Sequence, residues 1–416
     1  MTFVLNAAAS GCMLVFMALL AWRGLSQLGW LPAARRLGRP ADPVRAGAEA
    51  SARELALWAV LAVALEWGFI AFGWAAAGRG EPFLEWFWQR FTTAGDAEHY
   101  LYLAQYGYAR AGDQVNCIVF YPLYPLAIRV VGLFTGDFAL AAVLISQSCW
   151  AAAAAALRRL AGRLVPSRQS ARCAALALVL FPFSFFSMGI FTESLFLLLT
   201  VLALDAVVCG RWRAAGVAGF LAALCRTQGV LLVLAAAFAW LAACPTAAEK
   251  RRQWRGALWC LAPLAGYGLY LWLNRLYCGS AGAFLYYQSI APWYQHAQWV
   301  GRTIGQQWQM IQDYPGLARF IYWPQMILYF AAMALLLAGL AGGAPVPLLL
   351  YGGAYIGASY LSSWLISGSR YTFGCAPLYL MLPYLPRRWM RWAVLALEGA
   401  ALALYVTYYM QGQAIM

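Results

Sequence analysis

The sequence predicts an all-α polytopic membrane protein, a single membrane domain over residues 1 to 416. Three observations carry that expectation. Hydrophobic residues make up 64% of the chain and mean hydropathy is +0.65, well above the composition of soluble domains. Charged residues make up only 11%. The basic ones gather in short clusters between long apolar runs, the pattern of cytoplasmic connections.

The first apolar run, Thr2 to Trp22, has no lysine or arginine before it and is longer than the core of a signal peptide, so it reads as a span. At about 20 apolar residues per crossing, further spans fall near 55–77, 138–157, 173–190, 192–208, 214–225, 229–243, 257–274, 323–342, 346–366, 372–385 and 392–410. That gives about twelve crossings. With the N-terminus outside, the inner connections hold six arginines from Arg23 to Arg53, five from Arg158 to Arg172, Arg211 with Arg213, four basic residues from Lys250 to Arg255, and Arg387, Arg388 and Arg391. Together these are 20 of the 29 basic residues, so the net charge of +14 is mostly topological and no nucleic-acid partner is expected.

Acidic residues segregate the other way. Glu81, Glu85, Asp96, Glu98, Asp113, Asp137, Glu193 and Asp313 fall outside, as do both histidines, His99 and His296; Asp42, Glu49, Glu54 and Glu249 fall inside. Ten cysteines lie mostly in or beside spans without paired metal spacing, so neither a disulfide framework nor a zinc site is expected. Chemistry should therefore face outward.

Two outer segments are long, 78–137 and 275–322. The first opens with EPFLEWFWQRF, which puts Phe83, Trp86 and Phe87 on one helical face and Leu84, Trp88 and Phe91 on another, as in a helix lying in the membrane interface. It then reaches GDAEHY, where Asp96, Glu98 and His99 sit within four positions of a charge-poor chain. FYPLYP follows at 120–125; its prolines favour a turn into a helix, here juxtamembrane or re-entrant, because a full span would put Arg158 to Arg172 outside. The second segment sets Tyr286, Tyr287, Trp293, Tyr294, Trp299 and Trp308 among glutamines, which suits either an interfacial belt or a grip on a sugar.

GDAEHYLYLAQYGY, FYPLYPLAIR, FPFSFFSMGIFTESLFLLL at 181–199 and RWRAAGVAGFLAALCRTQGVLL at 211–232, with an echo in SRYTFGCAPLYLMLPYL at 369–385, together resemble the PIG-V family. That family comprises the second mannosyltransferase of GPI-anchor synthesis and its bacterial relatives, all of the GT-C class of membrane glycosyltransferases. Where the family usually carries Trp before its first acid, this chain has Gly95. The resemblance implies the GT-C architecture, a polyprenyl-phosphate sugar, mannose first, as donor, and inverting transfer to an acceptor hydroxyl on the outer face. A GPI-type glycolipid, a cell-wall glycan and a protein hydroxyl all remain open as acceptors. The Ala-rich composition points to a bacterial plasma membrane.

Inversion needs a base on the face opposite the leaving group. Asp96 matches the family's acid and is the expected base, although an Asp there is also a good cap for the helix that follows. His99 is the second expected catalytic residue, donating to the acceptor or a phosphate oxygen or orienting Asp96, with an interfacial histidine of no role as the alternative. Glu98, one residue beyond Ala97, has the spacing of carboxylates that hold a divalent ion in some GT-C enzymes, but such a pair points apart on a helix and no metal is expected. For the phosphate, Arg226 follows an apolar stretch of twelve residues, Ala214 to Cys225, which rises only about 18 Å, so it should sit at headgroup depth. It has a structural alternative, pairing with Glu193 or Asp137. Arg370 is the second candidate, Glu193 a third member, and Glu98, Tyr100, Tyr121, Tyr124 and Tyr371 lie within the resembling motifs and complete the expected substrate-binding set.

Within the spans, Asp205 should meet Arg211, while Glu66 and Glu398 are neutral or paired. Intramembrane carboxylates also line carriers, so a transporter or flippase for a lipid-linked sugar is the rival class. Carriers tend to show internal repeats, and none is visible here.

Overall fold

A computed structural model describes residues 1–31 and 48–415; Arg35, Arg36, Arg39, Asp42 and Arg45 lie outside them. Apart from one bridge between Ala297 and Ser362, the regular structure of the described residues is helical. The apolar runs become α1 (Thr2–Gln27) and α2 (Ala52–Ala77), the latter started by Ser51, whose hydroxyl accepts from the Glu54 amide. The first long connection holds α3 (Phe83–Thr92), α4 (Ala97–Tyr106), a 3-10 turn over Asp113–Val119, and α5 (Leu123–Thr135). Then come α6 (Phe138–Leu164), α7 (Arg168–Val179), α8 (Glu193–Val208), α9 (Trp212–Ala223) and α10 (Leu232–Ala243). Of these α6 is central, packing on α2, α5, α7 and α8.

The chain continues through α11 (Ala247–Arg252), α12 (Trp254–Cys260), α13 (Ala262–Cys278), α14 (Ala283–Ser289), α15 (Val300–Asp313) and the single turn α16 (Pro315–Leu317). It closes with α17 (Trp323–Ala341), α18 (Val346–Ser359), α19 (Gly368–Phe373), α20 (Ala376–Met381) and α21 (Arg388–Met410).

Among the described residues, five stretches are long and apolar enough to cross a bilayer: Thr2–Gln27, Ala52–Ala77, Phe138–Leu164, Pro315–Ala341 and Arg388–Met410. The number rises to as many as seven if each of two bent pairs, Asp113–Val119 with Leu123–Thr135 and Trp254–Cys260 with Ala262–Cys278, is counted as one span. The chain is thus a helical, multi-pass membrane protein.

Several expected spans are shorter or broken. The run at 173–190 ends as helix at Val179, because Pro182 follows closely and the chain turns through a 3-10 segment at Ser184–Met188. The run at 346–366 ends at Ser359, since the backbone beyond it is used elsewhere: the Gln298 amide donates to the Leu361 carbonyl and the Ser363 amide to that of His296. The run at 372–385 is divided into α19, α20 and a 3-10 turn, with Pro377 and Pro383 opening the last two. Each break falls where a proline or a side pairing removes the next helical hydrogen bond.

The prolines of FYPLYP act as expected, bending the chain by 110° between the 3-10 turn and α5. Leu126, Val130, Leu133 and Phe134 form a bare apolar stripe on α5, while Tyr124, Pro125 and Ile128 pack inward, the form of a juxtamembrane or re-entrant helix. The faces of α3 differ from expectation. Phe91 joins Trp86 and Phe87 inside, four residues beyond Phe87 on the same side, and Leu84 and Trp88 are left outside. Trp86 Nε1 donates to the Met410 carbonyl at 2.8 Å, so α3 is clamped to the end of α21.

Candidate active site

The turn into α4 requires the left-handed backbone of Gly95, φ 63°, which a tryptophan would adopt only with strain. It leaves Asp96 at the N-cap of α4, but the carboxylate makes no capping bond, so the side chain does not act as a cap. The Asp96 carboxylate turns instead to the distant end of the chain, where Oδ2 accepts from Arg370 Nη2 at 2.5 Å. With 23% of its side chain exposed, Asp96 remains reachable.

Arg370 is shared. Its Nε lies 3.1 Å from Glu193 Oε1, and the same oxygen accepts from Arg226 Nη1 at 2.6 Å. Asp96, Arg370, Glu193 and Arg226 therefore form one chain of two carboxylates and two guanidiniums. Glu193 opens α8, where a carboxylate also gains from the helix dipole, and its side chain is 1% exposed. Arg226 follows α9, whose twelve residues end three positions earlier, and is held there because Gly229 lets the chain fold back onto α9: a Cβ at Gly229 would lie 2.2 Å from the Ala222 carbonyl carbon. The ring of Tyr371 faces both cations, 5.2 Å from the Arg226 guanidinium and 5.9 Å from that of Arg370. Burial lowers the proton affinity of Arg370, and Asp96 and Glu193 more than offset it, so the group ends above its ordinary value. For Arg226 burial is likewise outweighed, chiefly by Glu193. Both stay charged at any working pH.

A cavity of about 1020 Å³ opens on this network. Asp96, Arg226 and Arg370 lie in its wall, together with Arg90, which is oriented by donating to the Tyr409 and Gln413 carbonyls at 3.1 and 3.4 Å. The wall is cationic, as an anionic ligand requires. Tyr100, Tyr121, Tyr371 and Trp293 supply aromatic surface. Burial and the nearby Asp96 hold the Tyr100 phenol well above its ordinary value, so it is a neutral hydrogen-bonding group. Tyr121 is fixed by a 2.8 Å bond to Thr227 and by stacking on Tyr270 at 3.9 Å.

Three expected site residues lie elsewhere. Tyr124 is fully buried beside the cavity and bonds Ser146 at 2.8 Å, because the turn at Pro122 aims it into the α6 interface. His99 stacks on Phe120 at 4.9 Å and lies 3.6 Å from the Cys117 sulfur, behind the wall. Glu98 is exposed on the far side of α4, since neighbouring helical positions point apart. Among the described residues no three His, Cys, Asp or Glu side chains converge as a metal site, and all ten cysteines are free thiols.

Among the wall elements that were not expected are Arg90, His296 and the C-terminal residues Gly412 to Ile415. His296 is fixed through Ser363, whose hydroxyl lies 3.0 Å from Nδ1 and accepts from the His296 amide at 2.9 Å. Its placement in a long connection rich in aromatics was the available signal. No family model, curated protein or solved structure matches the chain.

Proposed function

We propose that the protein is an inverting membrane glycosyltransferase that moves a sugar, mannose first, from a polyprenyl-phosphate donor to an acceptor hydroxyl at the outer membrane face, on a PIG-V-like GT-C architecture of about twelve membrane passes. The observation that carries it is the Asp96–Arg370–Glu193–Arg226 network at the wall of a 1020 Å³ cavity. The four residues come from motifs that resemble the family and are otherwise far apart in sequence.

In this mechanism Asp96 takes the proton of the acceptor hydroxyl as its oxygen bonds the sugar C1. The C1–O bond to phosphate breaks on the opposite face, and the phosphate leaves with the electron pair. Arg226 and Arg370 stabilise that developing charge in a water-poor site, where fixed cations act most strongly. Glu193 keeps both guanidiniums in place before the donor arrives, Arg90 adds a third cation, and Tyr100, Tyr121 and Tyr371 shape the pocket. His99 supports the wall through Phe120. Glu98 and Tyr124 take no part in the chemistry. The acceptor is a glycolipid or glycan, and no metal is used in the step.

Purified protein in detergent, given radiolabelled polyprenyl-phosphate mannose and envelope glycolipids, tests this. Label in acceptor product without any vesicle is the expected result. Movement of label only across intact vesicles, with no new glycosidic bond, would assign the protein to the carriers instead.

A further inference from the structure

A second basic cluster lies at the other end of α8, and nothing in the proposed reaction uses it. Asp205, fully buried, accepts from Arg163 at 2.5 Å, Arg211 at 2.6 Å and Arg159 at 3.3 Å. These arginines are 24%, 54% and 37% exposed. One carboxylate thus faces three cations. Arg213 stands beside them with its guanidinium 5.9 Å from the Trp259 ring and is in no ion pair among the described residues. The excess positive charge is fixed by the backbone: Gly210, φ 65°, turns α8 tightly into α9 and brings Arg211 against Asp205, with Arg213 two residues on in the same groove wall.

From this cluster a groove of about 710 Å³ runs between α8 and α9, with Arg159, Arg211 and Arg213 in its wall. Its other walls are apolar. Ala214, Val217, Ala218 and Leu221 recur at i, i+3, i+4 and i+7 on α9, facing Leu199, Leu202 and Ala206 at helical spacing on α8. The apolar track extends about 15 Å from Arg211 to Leu221.

We propose that this groove holds an anionic phospholipid, its phosphate on Arg159, Arg211 and Arg213 and one acyl chain along the apolar track. Charge complementarity selects the occupant: basic pockets between transmembrane helices at a membrane surface bind acidic headgroups, and Asp205 neutralises too little of the cluster to satisfy it. Arginines that served orientation alone would need no groove beside them.

Native mass spectrometry of the full-length protein in detergent, with phosphatidylglycerol and phosphatidylcholine of matched chains at equal concentration, tests this. Wild-type protein should retain phosphatidylglycerol at least about tenfold over phosphatidylcholine, and each arginine removed should cost about fivefold. Arg159→Gln with Arg213→Gln leaves Arg163 and Arg211 on Asp205; Arg213→Gln alone serves if the double variant does not fold. Equal retention of the two lipids by wild type, or an unchanged ratio in folded Arg213→Gln, would overturn the inference. Displacement of phosphatidylglycerol by millimolar glycerol 3-phosphate would also overturn it, because the groove would then be a soluble-phosphate site.

Discussion

At the N-terminal end of α8, Glu193 holds Arg226 and Arg370, whose side chains are 10% and 8% exposed. Twelve residues on, about 18 Å along the same helix, Asp205 holds three arginines of which the driest is 24% exposed. The two clusters are built from the same groups and differ in balance and in water. Near Glu193 the charges match, two against two once Asp96 is counted, and the guanidiniums have little surface exposed if a partner is lost. Near Asp205 cations are in excess and reach solvent. A dry, matched network is fragile and preorganised, which suits chemistry; a wet, unmatched one is tolerant and retains charge to attract a ligand.

Glu193→Gln breaks that comparison most severely. It leaves two nearly buried guanidiniums short of a carboxylate and should lower stability by about 3–5 kcal/mol, read as a fall in melting temperature in detergent, with transfer lost. A melting temperature within a degree of wild type would show that the network is not the dry one described. Next is Arg226→Ala, which removes a charge-assisted phosphate contact worth about 1.5–3 kcal/mol, or about ten- to a hundredfold in use of the lipid donor. Acceptor affinity should hold, and Arg226→Lys should fall between, keeping the charge but losing the paired donors. If Arg226→Ala instead aggregates while donor kinetics are intact, the arginine is structural and Arg370 is the leading phosphate ligand.

Asp205→Asn sharpens the contrast from the other side. Its arginines are exposed enough to hydrate, so stability should fall by no more than about 1 kcal/mol, and transfer should be unchanged; a loss as large as that of Glu193→Gln would erase the difference between the two ends. Excess EDTA should have the smallest effect, leaving the rate as it was. A rate lost to EDTA and restored by Mn²⁺ or Mg²⁺ would bring Asp96 and Glu98 back as ligands.

Hydropathy made α1, α2, α6, α17 and α21 legible, because long apolar runs need no tertiary information to be recognised. It misjudged 372–385, where composition is apolar throughout but Pro377 and Pro383 divide the helix. Arg226 and Glu193 were readable as partners, one from the depth argument and one from its place at a helix start, and Asp205 was readable beside Arg211 from a separation of six residues. The Asp96–Arg370 contact spans 274 positions, and only the resemblance hinted that the two belonged together. Side-chain direction was the weakest inference: Tyr124 and Tyr121 are three residues apart, yet one bonds Ser146 in the core and the other meets the cavity. Of two histidines in the long connections, proximity to Asp96 favoured His99, whereas the fold brings His296 to the cavity from 200 positions beyond Asp96.

The central claim is that Asp96, rather than anchoring Arg370 alone, removes a proton during sugar transfer. Turnover of purified Asp96→Asn with polyprenyl-phosphate mannose, measured beside its melting temperature, tests that most directly. The variant keeps the size and one oxygen of the side chain, so the protein should stay folded while turnover falls at least about a hundredfold, the lower end of a general base's contribution. Folded Asp96→Asn that retains more than a tenth of wild-type turnover would contradict the claim, leave Asp96 as an anchor for Arg370, and move the search for the base elsewhere in the cavity wall.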